Sequence, residues 1–175
     1  MIHVSSLGGL SDVAASLGPF DLLTLLSPSA EARDWSGFLQ MRHLRLAFHD
    51  ITEPKPELIA PDAGVLQAIL DFGRDGVAER PLLIHCWAGI SRSSAAAYVI
   101  ACDRNPGFEV DIADELRRRS PVVTPNKLMV RLADDLLSRE GKMVDAIARI
   151  GRGADAFEGA PYRLPPQWPL LSADL

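Results

Sequence analysis

His85-Cys86-Trp87-Ala88-Gly89-Ile90-Ser91-Arg92-Ser93 is the stretch on which the reading of this chain turns. It follows Pro81-Leu82-Leu83-Ile84, a short apolar run of strand length, and leads into Ser94-Ala95-Ala96-Ala97, which opens an alanine-rich helical segment. Five residues lie between Cys86 and Arg92, enough for a loop that curls with its N–H groups inward. Gly89 permits the backbone angles and close approach that such a curl requires. The helix that follows adds unpaired donors and positive potential at its N-terminus. Trp87, Ala88, Gly89, Ile90 and Ser91 are therefore expected to form an anion cradle of the nest type. Arg92 completes it, because a guanidinium can pair with two oxygens of an oxyanion at once. The same field favours the thiolate of Cys86, the form in which a cysteine is a nucleophile.

Outward from this segment, the first half of the chain alternates strand and helix signals. Ile2 to Val4, Asp21 to Leu26 and Leu44 to Phe48 are compact apolar runs. Ser11 can cap a helix that ends at Gly18-Pro19, and Pro61-Asp62 suits a first helical turn. Val65, Leu66, Ile69, Leu70 and Phe72 then recur at helical spacing. The second half reads as helical: Ser91 to Asp103, stopped by Asn105-Pro106-Gly107, then Val110 to Arg119, then a helix begun by Pro125. Strands early and helices late predict one α/β domain, a central mixed and largely parallel sheet flanked by helices. After about Gly151 the chain turns rich in Gly, Pro and Ala, and is expected to lie along the surface or to be partly disordered, with Tyr162 and Trp168 as anchors.

The chain has 175 residues, 47% of them hydrophobic and 23% charged, as suits a single globular domain. Its formal net charge of -5 argues against a general nucleic-acid binder, so an anionic ligand must be drawn by a local field. No apolar run is long enough to suggest a membrane span, and no secretory signal is read at Met1-Ile2-His3-Val4-Ser5. A reducing, cytoplasmic setting is expected, in which the two cysteines stay free. Cys102 lies ten residues beyond Arg92 on the same helix, about 15 Å away. That is too far for a disulfide with Cys86, so Cys102 is assigned to the core.

His85-Cys86, the five loop residues and Arg92-Ser93 resemble the His-Cys-x5-Arg-Ser/Thr signature of the protein tyrosine phosphatase superfamily. The longer form His-Cys-x-Ala-Gly-x-Ser-Arg-Ser is similar to the loop of its dual-specificity branch, and each of its fixed positions is present. The resemblance implies a cysteine phosphatase domain over 1–150, followed by a Gly/Pro-rich tail over 151–175. It implies hydrolysis of phosphate monoesters, on phosphorylated protein or a small molecule, through a phosphocysteine, with no metal or other cofactor. Cys86 would be the nucleophile and Arg92 would hold the phosphate. A leaving alkoxide or phenoxide needs a proton. The branch carries its acid at a strand end ahead of the cysteine, and Asp50, 36 residues before Cys86, matches that place. Glu53 and Asp62 are the alternatives. Ser93 would bond the Cys86 sulfur, His85 would support the loop through backbone contacts, and Asn126 of Pro125-Asn126 would brace it. Arg117 to Arg119 read as a solvated face or as part of a basic rim. Two other readings stand beside this one: a rhodanese-like sulfurtransferase and a non-catalytic phosphate-binding module.

Overall fold

A computed structural model describes residues 1–31, 34–76 and 79–169. Five strands and six helices run in the order β1 (Ile2–Ser5), α1 (Leu10–Ser16), β2 (Phe20–Leu26), β3 (Gln40–Ala47), α2 (Ala63–Arg74), β4 (Leu82–His85), α3 (Arg92–Arg104), α4 (Glu109–Arg119), α5 (Lys127–Leu136), α6 (Lys142–Ile150) and β5 (Tyr162–Leu164). The strands form one sheet in the order β3-β2-β4-β1-β5. The first four pair in parallel, and β5 closes the far edge antiparallel to β1, with Val4 opposite Tyr162. The expected α/β fold with a mixed, largely parallel sheet is the one observed.

Side-chain alternation along β2 divides the molecule into two cores. Leu23 and Leu25 join Ile2, Val4, Leu82 and Ile84 on the face covered by α2 to α6. Phe20, Leu22 and Leu26 face the other way, with Leu83, onto Leu10, Ala14 and Trp35. Burial on both faces explains why β2 reads as a continuous apolar run, whereas edge strand β3 alternates half-buried with exposed residues. α3 runs through the larger core, and Arg92 to Cys102 are all buried. α2 comes close to it where Gly73 faces Ile100: a Cβ built on Gly73 would stand 3.0 Å from that side chain.

Two elements fall where no element is expected from the sequence. α6 begins after Gly141, whose φ of 86° ends the preceding turn, and Asp134 accepts from the N–H groups of Gly141 and Met143 at its start. β5 lies in the stretch expected to run along the surface, so residues 162–164 belong to the sheet. Trp168 is buried and donates its backbone N–H to Asn105, as an anchor would. The last part of the tail, 170–175, lies outside the described residues. Among the described residues, no helix is long and apolar enough to cross a membrane.

Candidate active site

The loop from Cys86 to Arg92 sits at the carboxyl ends of β4 and β1, where open α/β sheets place their ligand crevices. Its shape follows from how its carbonyls are held. The carbonyl of Trp87 accepts from Leu7 N–H, Ala88 from Gly159, Ile90 from Thr124 and Ser91 from Asn126, at 2.8–3.4 Å. In a trans peptide the C=O and the following N–H point in opposite directions. Carbonyls drawn outward thus turn the N–H groups of Ala88, Gly89, Ser91 and Arg92 toward the centre of the curl. Gly89 has a φ of 73°, and a Cβ there would meet the backbone N of Ser6 at 2.8 Å. No other residue type fits both constraints without strain.

Cys86 lies at the foot of this curl, 2% exposed, with its Sγ 3.1 Å from the Ser93 Oγ. Arg92 is the first residue of α3 and is 4% exposed. Its Nη1 donates to the carbonyl of Phe48 at 2.8 Å and reaches the Ser27 Oγ at 3.4 Å. That contact fixes the guanidinium by one corner. Its Nε is buried without a hydrogen-bond partner among the described residues, 4.0 Å from the Asp50 carboxylate. The Nε edge is thus positioned to pair with an oxyanion.

Asp50 is positioned from three sides. Its Oδ1 accepts from the Ser91 hydroxyl at 2.8 Å and from Asn126 Nδ2 at 2.7 Å, while Oδ2 faces Arg92. His49 closes the neck of the Pro-rich loop that Asp50 opens. Its N–H donates to the Ile59 carbonyl at 2.7 Å, and Ile59 N–H donates back to its ring Nδ1 at 2.9 Å. Asn126, 2% exposed, does two jobs at once. Its Oδ1 caps α5 by accepting from Met129 N–H, while Nδ2 holds Asp50 and the Ile51 carbonyl. Helix cap and loop brace are therefore one residue. His85 is fully buried, its Nε2 2.8 Å from the Thr24 hydroxyl and its ring edge-on to Trp35. The burial of Cys102 agrees with its expected place in the core, and burial pushes its thiol well up.

A cleft of about 760 Å³ opens over the loop, bounded by Leu7, Ser27, Glu31, Asp50, Trp87 and Phe157 together with the loop itself. Cys86, Arg92, Asp50, Trp87, Ala88, Ile90 and Ser91 all border it. Asp62 does not: it caps α2 by accepting from Val65 N–H. Neither Glu53 nor any of Arg117 to Arg119 borders it. Arg117 instead staples the end of α4 to the carbonyls of Pro121, Val123 and Gly151, and Arg118 and Arg119 pair with Glu115. The basic run is structural, not part of a rim.

With that geometry in view, the chain can be compared with known proteins. No family model and no curated protein matches the sequence. Solved structures do match. The human tyrosine phosphatase-like serine/threonine/tyrosine-interacting protein superposes with a TM-score of 0.61 at 15% identity, over 79% of this chain and 92% of that one. Human DUSP28 gives 0.56 at 17% identity over 79% and 92%, and the Yvh1 phosphatase domain from Chaetomium thermophilum gives 0.55 at 15% over 81% and 93%. This chain has the dual-specificity phosphatase fold. Within that fold, Cys86 directly follows the central strand β4, and the segments carrying Asp50 and Asn126 come from far along the chain to meet its loop. Ser27, the Phe48 carbonyl, His49, Thr24 and Phe157 were not legible as site residues. Each reaches the site through folding alone, with no motif of its own.

Proposed function

We propose that this protein is a cysteine-dependent phosphatase that hydrolyses phosphate monoesters of phosphorylated proteins through a phosphocysteine. One observation carries the reading. A buried cysteine stands at the foot of a loop with its carbonyls drawn outward, beside an arginine whose Nε makes no hydrogen bond among the described residues and stands 4.0 Å from Asp50. Loop N–H groups and the Arg92 edge would hold the three non-bridging phosphate oxygens, and positioning with charge stabilisation does most of the work of phosphoryl transfer.

In the first step the Cys86 sulfur forms a bond to phosphorus as the ester P–O bond breaks. Its electron pair leaves with the alcohol oxygen, which takes a proton from Asp50. In the second step water attacks phosphorus and gives a proton back to Asp50, and the S–P electron pair returns to sulfur. Ser93, 3.1 Å from that sulfur, stabilises it as it leaves. Asp50 suits the acid role because two donors fix its Oδ1 and the residue borders the cleft beside Arg92. The thiolate needs no partner base, so His85 acts through its packing and its bond to Thr24.

The test is turnover of a generic aryl phosphate in the presence of a chelator, with thiosulfate as the control for sulfur transfer. Cys86→Ser should abolish turnover and still bind vanadate, since the cradle is mostly backbone. A variant that kept more than a trace of activity, or a wild-type protein that used only thiosulfate, would sink the covalent phosphatase reading.

A further inference from the structure

The mouth of the cleft carries two exposed aromatic side chains that the chemistry at Cys86 does not use. Trp87, from the loop, is 59% exposed, and Phe157, from the C-terminal segment, is 87% exposed. Both border the main cleft, and both border a smaller hollow of about 170 Å³ beside it, with Leu7, Gly8, Ala88 and Glu158. The other large apolar side chains exposed among the described residues are aliphatic, and they line neither space.

A single exposed phenyl is ordinary on a protein surface. This one is held in place. Gly159 N–H donates to the Ala88 carbonyl at 2.8 Å, and Glu158 accepts from the Ser6 hydroxyl, so both residues after Phe157 are tied to the base of the site. Ahead of it, Ala154 N–H donates to the Pro121 carbonyl and Gly153 N–H to Thr124 Oγ1. Beyond it, β5 joins the sheet beside β1. The segment is thus a fixed wall with an aromatic ring at its crest. Charge narrows the choice of ligand further. Among the described residues, the ionisable side chains lining the cleft, apart from Cys86, are Glu31, Asp50 and Arg92. One guanidinium serves one phosphate, and the two carboxylates repel any further anion.

Building on the phosphatase reading, we propose that Trp87 and Phe157 select the alcohol half of the substrate. The site takes a singly phosphorylated aryl group, the phosphotyrosine side chain of a peptide, over alkyl phosphates and multiply phosphorylated headgroups. A phenyl ring between the cradle and the mouth offers these two rings a π-face, which a serine or threonine methylene lacks. Aromatic pairs add roughly two- to tenfold in affinity beyond their buried area. Phe157 is a specificity-determining residue, and the C-terminal segment is part of the active site.

The test compares two peptides that differ only in carrying phosphotyrosine or phosphoserine, with a soluble inositol polyphosphate as third substrate. Wild type should prefer the phosphotyrosyl peptide. Phe157→Ala should raise KM for it by roughly two- to tenfold with little change in kcat, lowering the aryl-to-alkyl ratio of kcat/KM, and Phe157→Tyr should restore that ratio. An unchanged ratio in Phe157→Ala, or a preference of wild type for the inositol polyphosphate, overturns the proposal. Binding of the same peptides to Cys86→Ser, with and without Phe157→Ala, separates the two layers. If Phe157 governs peptide binding there but wild type turns nothing over, the phosphatase reading falls and aromatic selection stands. If every phosphate ester is turned over without regard to Phe157, the reverse holds.

Discussion

Asn126 joins stability and chemistry in one side chain, and two substitutions can separate them. Its Oδ1 caps α5 through Met129 N–H, and its Nδ2 donates to Asp50 at 2.7 Å from a site only 2% exposed. Asn126→Ala removes both. Loss of a cap costs about 1 kcal/mol. Loss of a hydrogen bond to a charged group costs about 1.5–3 kcal/mol, discounted here because the Asp50 side chain is 36% exposed. Together about 2–3 kcal/mol is expected, or roughly 4–12 °C in Tm for a domain of this size. Asn126→Asp keeps the cap, since the two residues cap equally well, but sets a second carboxylate against Asp50. Two carboxylates that close, one buried and one part-exposed, cannot both stay ionised without repulsion of about 1–4 kcal/mol. That penalty should fade as acid protonates one of them. Thermal unfolding followed by circular dichroism, at neutral pH and at about pH 4, should show Asn126→Ala destabilised at both. Asn126→Asp should recover most of its deficit in acid. In kcat/KM profiles, Asn126→Asp should also move the alkaline limb to higher pH. Equal losses for the two variants at both pH values would show that the cap alone matters and that Asp50 is not braced by Asn126.

Other expectations rest on separate contacts. Asp50→Asn should remove the falling limb of the pH profile and slow alkyl phosphates more than aryl phosphates, because a phenoxide departs tolerably unprotonated; a full bell in that variant would move the acid elsewhere. Arg92→Lys keeps the charge but loses both the corner bond to Phe48 and the forked Nε edge, so kcat/KM should fall by orders of magnitude, and near-normal rates would refute bidentate binding. Burial, with the nearby N-terminal ammonium and Arg163, lowers the His3 pKa to about 4. The unfolded chain therefore takes up this proton first. Stability that is complete above about pH 6.5 should drain away as pH falls toward 4, and urea titrations should show that slope flattened in His3→Gln.

What consecutive residues can carry is legible along the chain. Cys86, Gly89, Arg92 and Ser93 lie within one strand–loop–helix turn, so spacing alone brings thiol, curl and guanidinium together. The same holds for β2 and α3, where burial on every side leaves an apolar or alanine-rich run that periodicity can read. What meets that loop emerges on folding. Asp50 was legible by position, but its orientation depends on Ser91 and Asn126, 41 and 76 residues away in the chain. Arg117 looked like surface charge because nothing local shows that three carbonyls beyond its helix need a donor. β5 and Phe157 were hidden for the same reason. A Gly/Pro-rich stretch has little structure of its own, and here the free edge of β1 and the outward-turned Ala88 carbonyl give it a place. Contacts between segments distant in sequence leave no local pattern, and those contacts orient Asp50 and shape the mouth of the cleft.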